Sequence, residues 1–151
     1  MRLLNAALAM EHRLAAIYTA AAAVPAGRSA RDTVERLRRH EAEHARGLEE
    51  AIRDLGGTPD AALPAAEYRT LLRLRSLTTP ADIWRLAMRL ENQTIAAYLE
   101  ALPKLSIGQL RQTVSAIVAS EAEHLALIAA ESDPGRPTLQ APQAFVTGRP
   151  G

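Results

Sequence analysis

The stretch Arg39-His40-Glu41-Ala42-Glu43-His44 contains the pattern Glu41-x-x-His44 inside a long amphipathic segment. Residues three apart in an α-helix lie about one turn apart on the same face, so the pattern places a carboxylate beside an imidazole. The chain repeats this pattern near its end, in Ser120-Glu121-Ala122-Glu123-His124. The second copy follows the first at an offset of 80 positions.

Two further pairs of residues keep the same offset. Glu11 corresponds to Glu91, and Tyr18 corresponds to Tyr98. The sequence therefore indicates an internal duplication of a helix pair. The residue types kept in register, Glu and His above all, are those that bind metal ions.

Composition limits the classes of function that the chain can have. At 151 residues it is long enough for one domain with a real core. The 18 basic and 17 acidic residues alternate along helix faces and give a net charge of +1, so we expect no nucleic-acid partner. Without cysteine, the chain has no disulfides, thiolate nucleophiles or Cys-ligated metal centres.

The apolar N-terminal run over residues 3–24 is interrupted by Glu11, His12 and Arg13. The uninterrupted part is shorter than the hydrophobic region of a signal peptide, and far shorter than the roughly 20 residues of a membrane span. We therefore expect a helix of a mature cytoplasmic protein, with no membrane partner.

Hydrophobic periodicity predicts an all-α fold built on four long helices. Their predicted ranges are 3–24, 29–55, 80–102 and 107–131. A short helix is predicted over 64–76, in a long crossover between the second and third. Three start signals are recognised: Asp32 for the second helix, Thr79-Pro80 with Asp82 for the third, and Ser106 to Gln109 for the fourth.

The predicted domain organisation is a four-helix bundle over 1–133 followed by a tail rich in Pro and Gly over 134–151. Phe145 and Val146 are the sizeable apolar pair near the end of this tail. We expect them to pack the irregular tail against the bundle.

Six polar residues fall on the apolar lines of the four helices, where a surface residue is not expected. They are the predicted metal ligands Glu11, Glu41, His44, Glu91, Glu121 and His124. Burying four glutamates together without a counter-charge costs several kcal/mol each, and two divalent cations balance the four negative charges. Oxygen-rich ligation with one imidazole per metal suits two iron ions, with manganese as the alternative.

The ligand pattern resembles that of the ferritin-like superfamily, which includes rubrerythrins and bacterioferritins. Such bundles take one Glu from each of two helices and Glu-x-x-His from each of the other two. The chain is most similar to small bacterial ferritin-like domain proteins of unassigned function, in Leu4 to His12, Leu90 to Leu99 and Ala144 to Gly148. The resemblance implies a di-metal site. Met88 replaces an extra glutamate of rubrerythrins, and there are no cysteines for a rubredoxin domain.

The function expected from this site is redox chemistry at two Fe ions with O2 or H2O2, as a ferroxidase, peroxide scavenger or oxidase. Tyr18 and Tyr98 each lie seven residues beyond a ligand glutamate, where they could act as redox relays, as hydrogen-bond donors or as core residues. The sequence leaves the external electron donor open, and it leaves a homodimer open. A storage cage is not expected, because a tail rich in proline replaces the fifth helix.

Three alternatives remain at this point. The bundle could bind metal for structure or interaction without turnover, or it could be a di-manganese enzyme of the catalase type. His40-Glu41-x-x-His44 also matches the H-E-x-x-H helix of zinc metalloproteases. The duplication argues against the protease, because Ser120 stands in the second copy where His40 stands in the first.

Overall fold

The computed structural model describes residues 1–133 and 135, and within them the secondary structure is helical with no strand. The α-helices are α1 (Arg2–Ala21), α2 (Arg28–Asp54), α3 (Ala65–Leu71), α4 (Pro80–Ala101) and α5 (Gly108–Ser132). Short 3-10 turns follow α3 and α4, at Leu74–Ser76 and Leu102–Lys104. The predicted all-α class is confirmed. The predicted docking of the tail through Phe145 and Val146 lies outside the described residues.

The chain divides into two compact parts, with the boundary inside α4. The first part is Met1–Ile83 and the second begins at Trp84. Each is considered separately below. The predicted domain over 1–133 stays a prediction.

In the first part, α1 packs against α2 along the predicted apolar lines. The buried residues of the two helices are Leu4, Leu8, Glu11, Leu14, Ile17, Tyr18, Ala21, Val34, Leu37, Glu41, Ala45, Leu48 and Ile52. The predicted range 29–55 ends one residue too late, because α2 ends at Asp54 and Leu55 is its C-cap residue, 40% exposed. The two carboxylates thus lie inside otherwise apolar stripes.

The outer face of α2 carries ion pairs between residues one turn apart. Arg38 donates two hydrogen bonds to Glu35, at 2.9 and 2.8 Å, and Arg53 donates one to Glu49 at 2.8 Å. The hydrogen bond from Arg38 lowers the pKa of the exposed Glu35 carboxyl. Such exposed pairs contribute little stability. They show which face of α2 lies in solvent, and the buried residues lie on the opposite face.

The end of α2 is fixed by the pair Gly56-Gly57. The Gly56 N–H donates to the Arg53 carbonyl at 2.8 Å, and the Gly57 N–H donates to the Ile52 carbonyl at 2.9 Å. This is the Schellman arrangement, and Gly56 adopts the positive φ of 73° that it requires. The predicted stop before these glycines is confirmed.

The crossover differs from the single helix predicted over 64–76. Its helix breaks after Leu71, because Arg73 adopts a left-handed conformation with φ of 51°. Tyr68 and Leu74 are buried, whereas Leu63 and Leu71 are exposed. Asn5 joins the start of the crossover to α1: its side-chain amide donates to the Thr58 carbonyl and accepts from the Asp60 N–H.

One of the three predicted helix-start signals is correct. The Asp82 N–H donates to Thr79 Oγ1 at 3.2 Å, and the Thr79 N–H donates to Asp82 Oδ2 at 3.1 Å, so the two residues cap α4 reciprocally. Asp32 lies beyond the first turn, because α2 begins at Arg28 behind Gly27. The predicted capping box at Ser106 does not form: α5 begins at Gly108, and its N-cap residue Ile107 provides no side-chain cap.

We predict that Thr79→Ala destabilises the protein by about 1 kcal/mol, because it removes the hydroxyl that accepts the Asp82 N–H. In a chain of this size that corresponds to a fall in melting temperature of roughly 2–4 °C. Ser106→Ala is the matched control and should leave the melting temperature unchanged. Equal losses for the two variants in thermal unfolding would contradict the corrected assignment of the caps.

In the second part, α5 buries one line of residues that includes two of the predicted ligands. Its buried residues are Leu110, Val114, Ile117, Glu121, His124 and Ile128. The buried side chains of α4 in this part are Trp84, Leu86, Ala87, Glu91, Asn92, Thr94, Ile95 and Tyr98. Again, carboxylates and an imidazole interrupt a buried apolar line.

By length and composition, α5 is also the one helix among the described residues that could cross a membrane. The core helix of a soluble protein meets the same criterion, so this observation is weak evidence. Both Glu121 and His124 lie on α5. The expectation that no membrane is involved stays a prediction.

Candidate metal centre

The first part of the chain brings together Glu11 from α1 with Glu41 and His44 from α2. His44 Nδ1 lies 3.3 Å from Glu11 Oε2 and 3.6 Å from Glu41 Oε2. One oxygen or nitrogen atom from each of the three residues lies within 4.8 Å of the others. Both glutamates are fully buried, and the His44 side chain is 11% exposed. We call this set the first triad.

The second part contains an equivalent set, which we call the second triad. Glu91 comes from α4, and Glu121 and His124 come from α5. His124 Nδ1 lies 2.8 Å from Glu121 Oε2 and 3.5 Å from Glu91 Oε1. All three side chains are fully buried. Their candidate ligand atoms also lie within 4.8 Å of one another.

The two triads share one arrangement of residues. In each, the histidine lies one turn after the glutamate of its own helix, and its Nδ1 approaches that carboxylate and the one from the neighbouring helix. The nearer carboxylate differs, being Glu11 of the neighbouring helix in the first triad and Glu121 of the same helix in the second. The offset of 80 positions in the sequence thus corresponds to a repeated arrangement of residues, with different distances in the two copies.

The chemistry of each triad fits a divalent cation. Two carboxylates face one imidazole, so negative charge remains in excess even when the imidazole is protonated. Fully buried carboxylates are costly unless a cation compensates them. Each triad offers oxygen and nitrogen donors close together, as iron and manganese sites require. The buried Glu and His clusters are compatible with metal binding.

The structure separates the first triad from its flanking polar residues. Glu43, two positions after Glu41, is exposed, and His12 and His40 are half-buried. Among the described residues, no group of three or more closely spaced candidate ligands includes His12 or His40. The zinc metalloprotease interpretation needs His40 and His44 on one metal, and this arrangement does not support it.

Both predicted relay tyrosines belong to the core. Tyr18 of α1 and Tyr98 of α4 are almost completely buried. They extend the buried lines that contain Glu11 and Glu91, as predicted. A redox or hydrogen-bonding role for either tyrosine stays a prediction.

Sequence reasoning missed one contact of the second triad. Ser120 Oγ lies 3.4 Å from His124 Nε2, on the side of the ring opposite to the carboxylates. Its signal in the sequence is the spacing, since residues four apart on a helix share a face.

Comparison with known proteins agrees with this geometry. The family model described as Ferritin-like domain matches residues 1–132. The chain belongs to the ferritin-like domain family. The predicted superfamily is therefore confirmed, and with it the all-α ferritin-like fold class. No match was found among the curated proteins.

Membership in the ferritin-like family covers both triads, because residues 1–132 include all six predicted ligands. It also includes the crossover with α3, but it stops just short of the tail predicted from 134 onward.

Proposed function

We propose that this ferritin-like protein binds two iron ions through its two triads and oxidises Fe(II) with O2 or H2O2. The observation that carries the proposal is the repeated triad of two buried carboxylates and one imidazole, present once in each part of the chain. The expected ligands are those predicted from the sequence, namely Glu11, Glu41, His44, Glu91, Glu121 and His124.

In the proposed function, each triad holds one metal ion within its own part of the chain. Each histidine would bind one metal through Nδ1, and the four carboxylates would supply the remaining oxygen ligands and cancel the charge of two divalent cations. Carboxylate-rich ligand sets of this kind occur in ferritin-like bundles, where the ligands project inward from four helices. When bound, iron supplies the one-electron redox chemistry that the side chains of this chain lack.

The residues of the chain have defined tasks in this proposal. Glu41 and Glu121 lie one turn before the histidines of their own helices, so α2 and α5 each fix the spacing of two ligands. Glu11 and Glu91 complete each triad from a neighbouring helix. The apolar side chains above and below these ligands exclude bulk water, which strengthens electrostatic interactions with a bound cation.

The proposed function is tested by anaerobic loading with Fe(II), followed by exposure to air. We expect two Fe(II) per chain and rapid appearance of ferric absorbance in the wild type. The double variant Glu41→Gln/Glu121→Gln should lose both, because it removes one carboxylate ligand from each triad. The matched control is Glu43→Gln/Glu123→Gln, which changes the exposed glutamates of the same two motifs and should behave as wild type.

The outcomes separate the alternatives. Two bound metals without oxidation would replace the redox proposal with a metal-binding structural or interaction bundle. Reaction with H2O2 in the presence of Mn(II), but not with Fe(II) and O2, would favour the di-manganese alternative. A wild-type chain that binds neither ion would overturn the proposal.

A further inference from the structure

We propose that Ser120 is a positioning residue for His124, an inference that rests on the proposed metal-binding function. Its hydroxyl accepts the Nε2–H of the imidazole and so leaves Nδ1 directed at the metal position of the second triad. The carrying observation is the contact of 3.4 Å between Ser120 Oγ and His124 Nε2, on a ring whose Nδ1 lies 2.8 Å from Glu121.

The two nitrogens of the His124 ring have different tasks in this proposal. A neutral imidazole that binds a cation through Nδ1 must carry its proton on Nε2. His124 is fully buried, so a partner for that N–H has to come from the protein or from an ordered water. Ser120 meets this requirement from one turn earlier on α5, because side chains of a helix lean toward its N-terminus.

A hydroxyl suits this position because it both donates and accepts. It can donate to Nε2 when the proton of the ring lies on Nδ1, facing Glu121, and accept from Nε2 when Nδ1 binds a metal. An alanine at position 120 could do neither. Partners that hold the second nitrogen of a ligand histidine commonly affect metal affinity by about 10–100-fold.

The duplication makes the inference specific to one triad. Position 120 corresponds to position 40, where the first copy has His40 instead of a serine. The two ligand histidines therefore have chemically different residues one turn before them. A change at Ser120 should affect the metal bound by the second triad and leave the other unaltered.

The test compares Ser120→Ala, Ser120→Thr and Ser132→Ala in the full chain, with Mn(II) alone as the probe in equilibrium titrations. Ser120→Ala should weaken one of the two Mn(II) equivalents by about tenfold, the lower end of the range because 3.4 Å is a long hydrogen bond. Ser120→Thr keeps the hydroxyl and should restore binding. Ser132→Ala is the control, since the Ser132 hydroxyl on the same helix donates to the Ile128 carbonyl and not to a residue of the triad.

A second readout distinguishes positioning from a loss of packing. In the Zn(II)-loaded protein, which is diamagnetic, the His124 Nε2–H should give a slowly exchanging NMR signal in the wild type and in Ser120→Thr. In Ser120→Ala this signal should exchange at least tenfold faster. If the wild type binds two ions and Ser120→Ala leaves both the Mn(II) affinity and the exchange rate of the His124 Nε2–H unchanged, the role of Ser120 is overturned while the proposed function stands. A wild type that binds no metal would overturn the proposed function and this role with it.

Discussion

Replacing Glu11, Glu41, Glu91 and Glu121 together by Gln should stabilise the metal-free protein and abolish its stabilisation by metal. The four carboxylates are fully buried, and each pair faces a single imidazole, so negative charge is in excess in both triads. Glutamine keeps the shape and removes the charge. Hydrophobic residues of similar volume in place of a buried ion pair are often neutral or stabilising by about 1–4 kcal/mol. Glutamine is still polar, so we expect a gain toward the lower end of this range, from the loss of repulsion between like charges.

Metal should stabilise the wild type and leave the stability of the four-Gln variant unchanged. A cation that binds only the folded wild type adds about 4 kcal/mol per site when its free concentration is a thousandfold above Kd. This corresponds to a rise in melting temperature on the order of 10 °C per site in a chain of this size. The four-Gln variant should show no such rise with Fe(II) or Mn(II).

The experiment consists of four thermal unfolding curves, for wild type and the four-Gln variant, each with and without metal. We expect the metal-free wild type to have the lowest melting temperature and the metal-loaded wild type the highest. The variant should lie between them in either condition. Glu43→Gln/Glu123→Gln serves as the control for a change of surface charge. Coincident wild-type curves with and without metal would mean that the six residues do not form a working site.

His44→Ala and His124→Ala should each reduce the bound metal from two ions to one per chain. Each histidine is the only nitrogen donor of its triad, and its Nδ1 lies within 3.6 Å of both carboxylates. Without the histidine, each triad keeps only two carboxylates. Two ligands are a poor replacement for the water molecules that the cation loses when it enters the site. Metal per chain is measured after anaerobic loading and removal of free ions.

The controls for the histidine variants are His12→Ala and His40→Ala. Both residues are half-buried, and neither belongs to a group of candidate ligands among the described residues. Both variants should retain two ions. If His40→Ala lost metal as completely as His44→Ala, the zinc metalloprotease interpretation would regain support.

That the residues of each triad come together could be predicted from the sequence, because two periodicities agree. The helical period places Glu121 and His124 on the line of Val114, Ile117 and Ile128, and the offset of 80 gives the corresponding line in α2. Burial of a polar residue costs free energy unless a partner compensates it. Its repetition at a fixed offset indicates that the two copies have the same role. The burial found for α5 follows this prediction at each position.

The errors concern positions where local backbone geometry decides. Gln109 follows Ser106 at capping-box spacing, yet α5 begins at Gly108. Arg73 breaks the crossover helix by adopting a positive φ, which is rare for a residue other than glycine and has no signal in the sequence. The contact of Ser120 with His124 Nε2 could not be predicted, because sequence spacing does not show which ring nitrogen faces the hydroxyl.

The most direct test of the central claim is the anomalous X-ray scattering of crystals loaded with Mn(II) or anaerobically with Fe(II). We predict two anomalous peaks per chain, one bonded to His44 Nδ1 with Glu11 and Glu41 as neighbours, the other bonded to His124 Nδ1 with Glu91 and Glu121. The account would be contradicted if neither histidine had a peak, or if a single metal were bound by His40 together with His44.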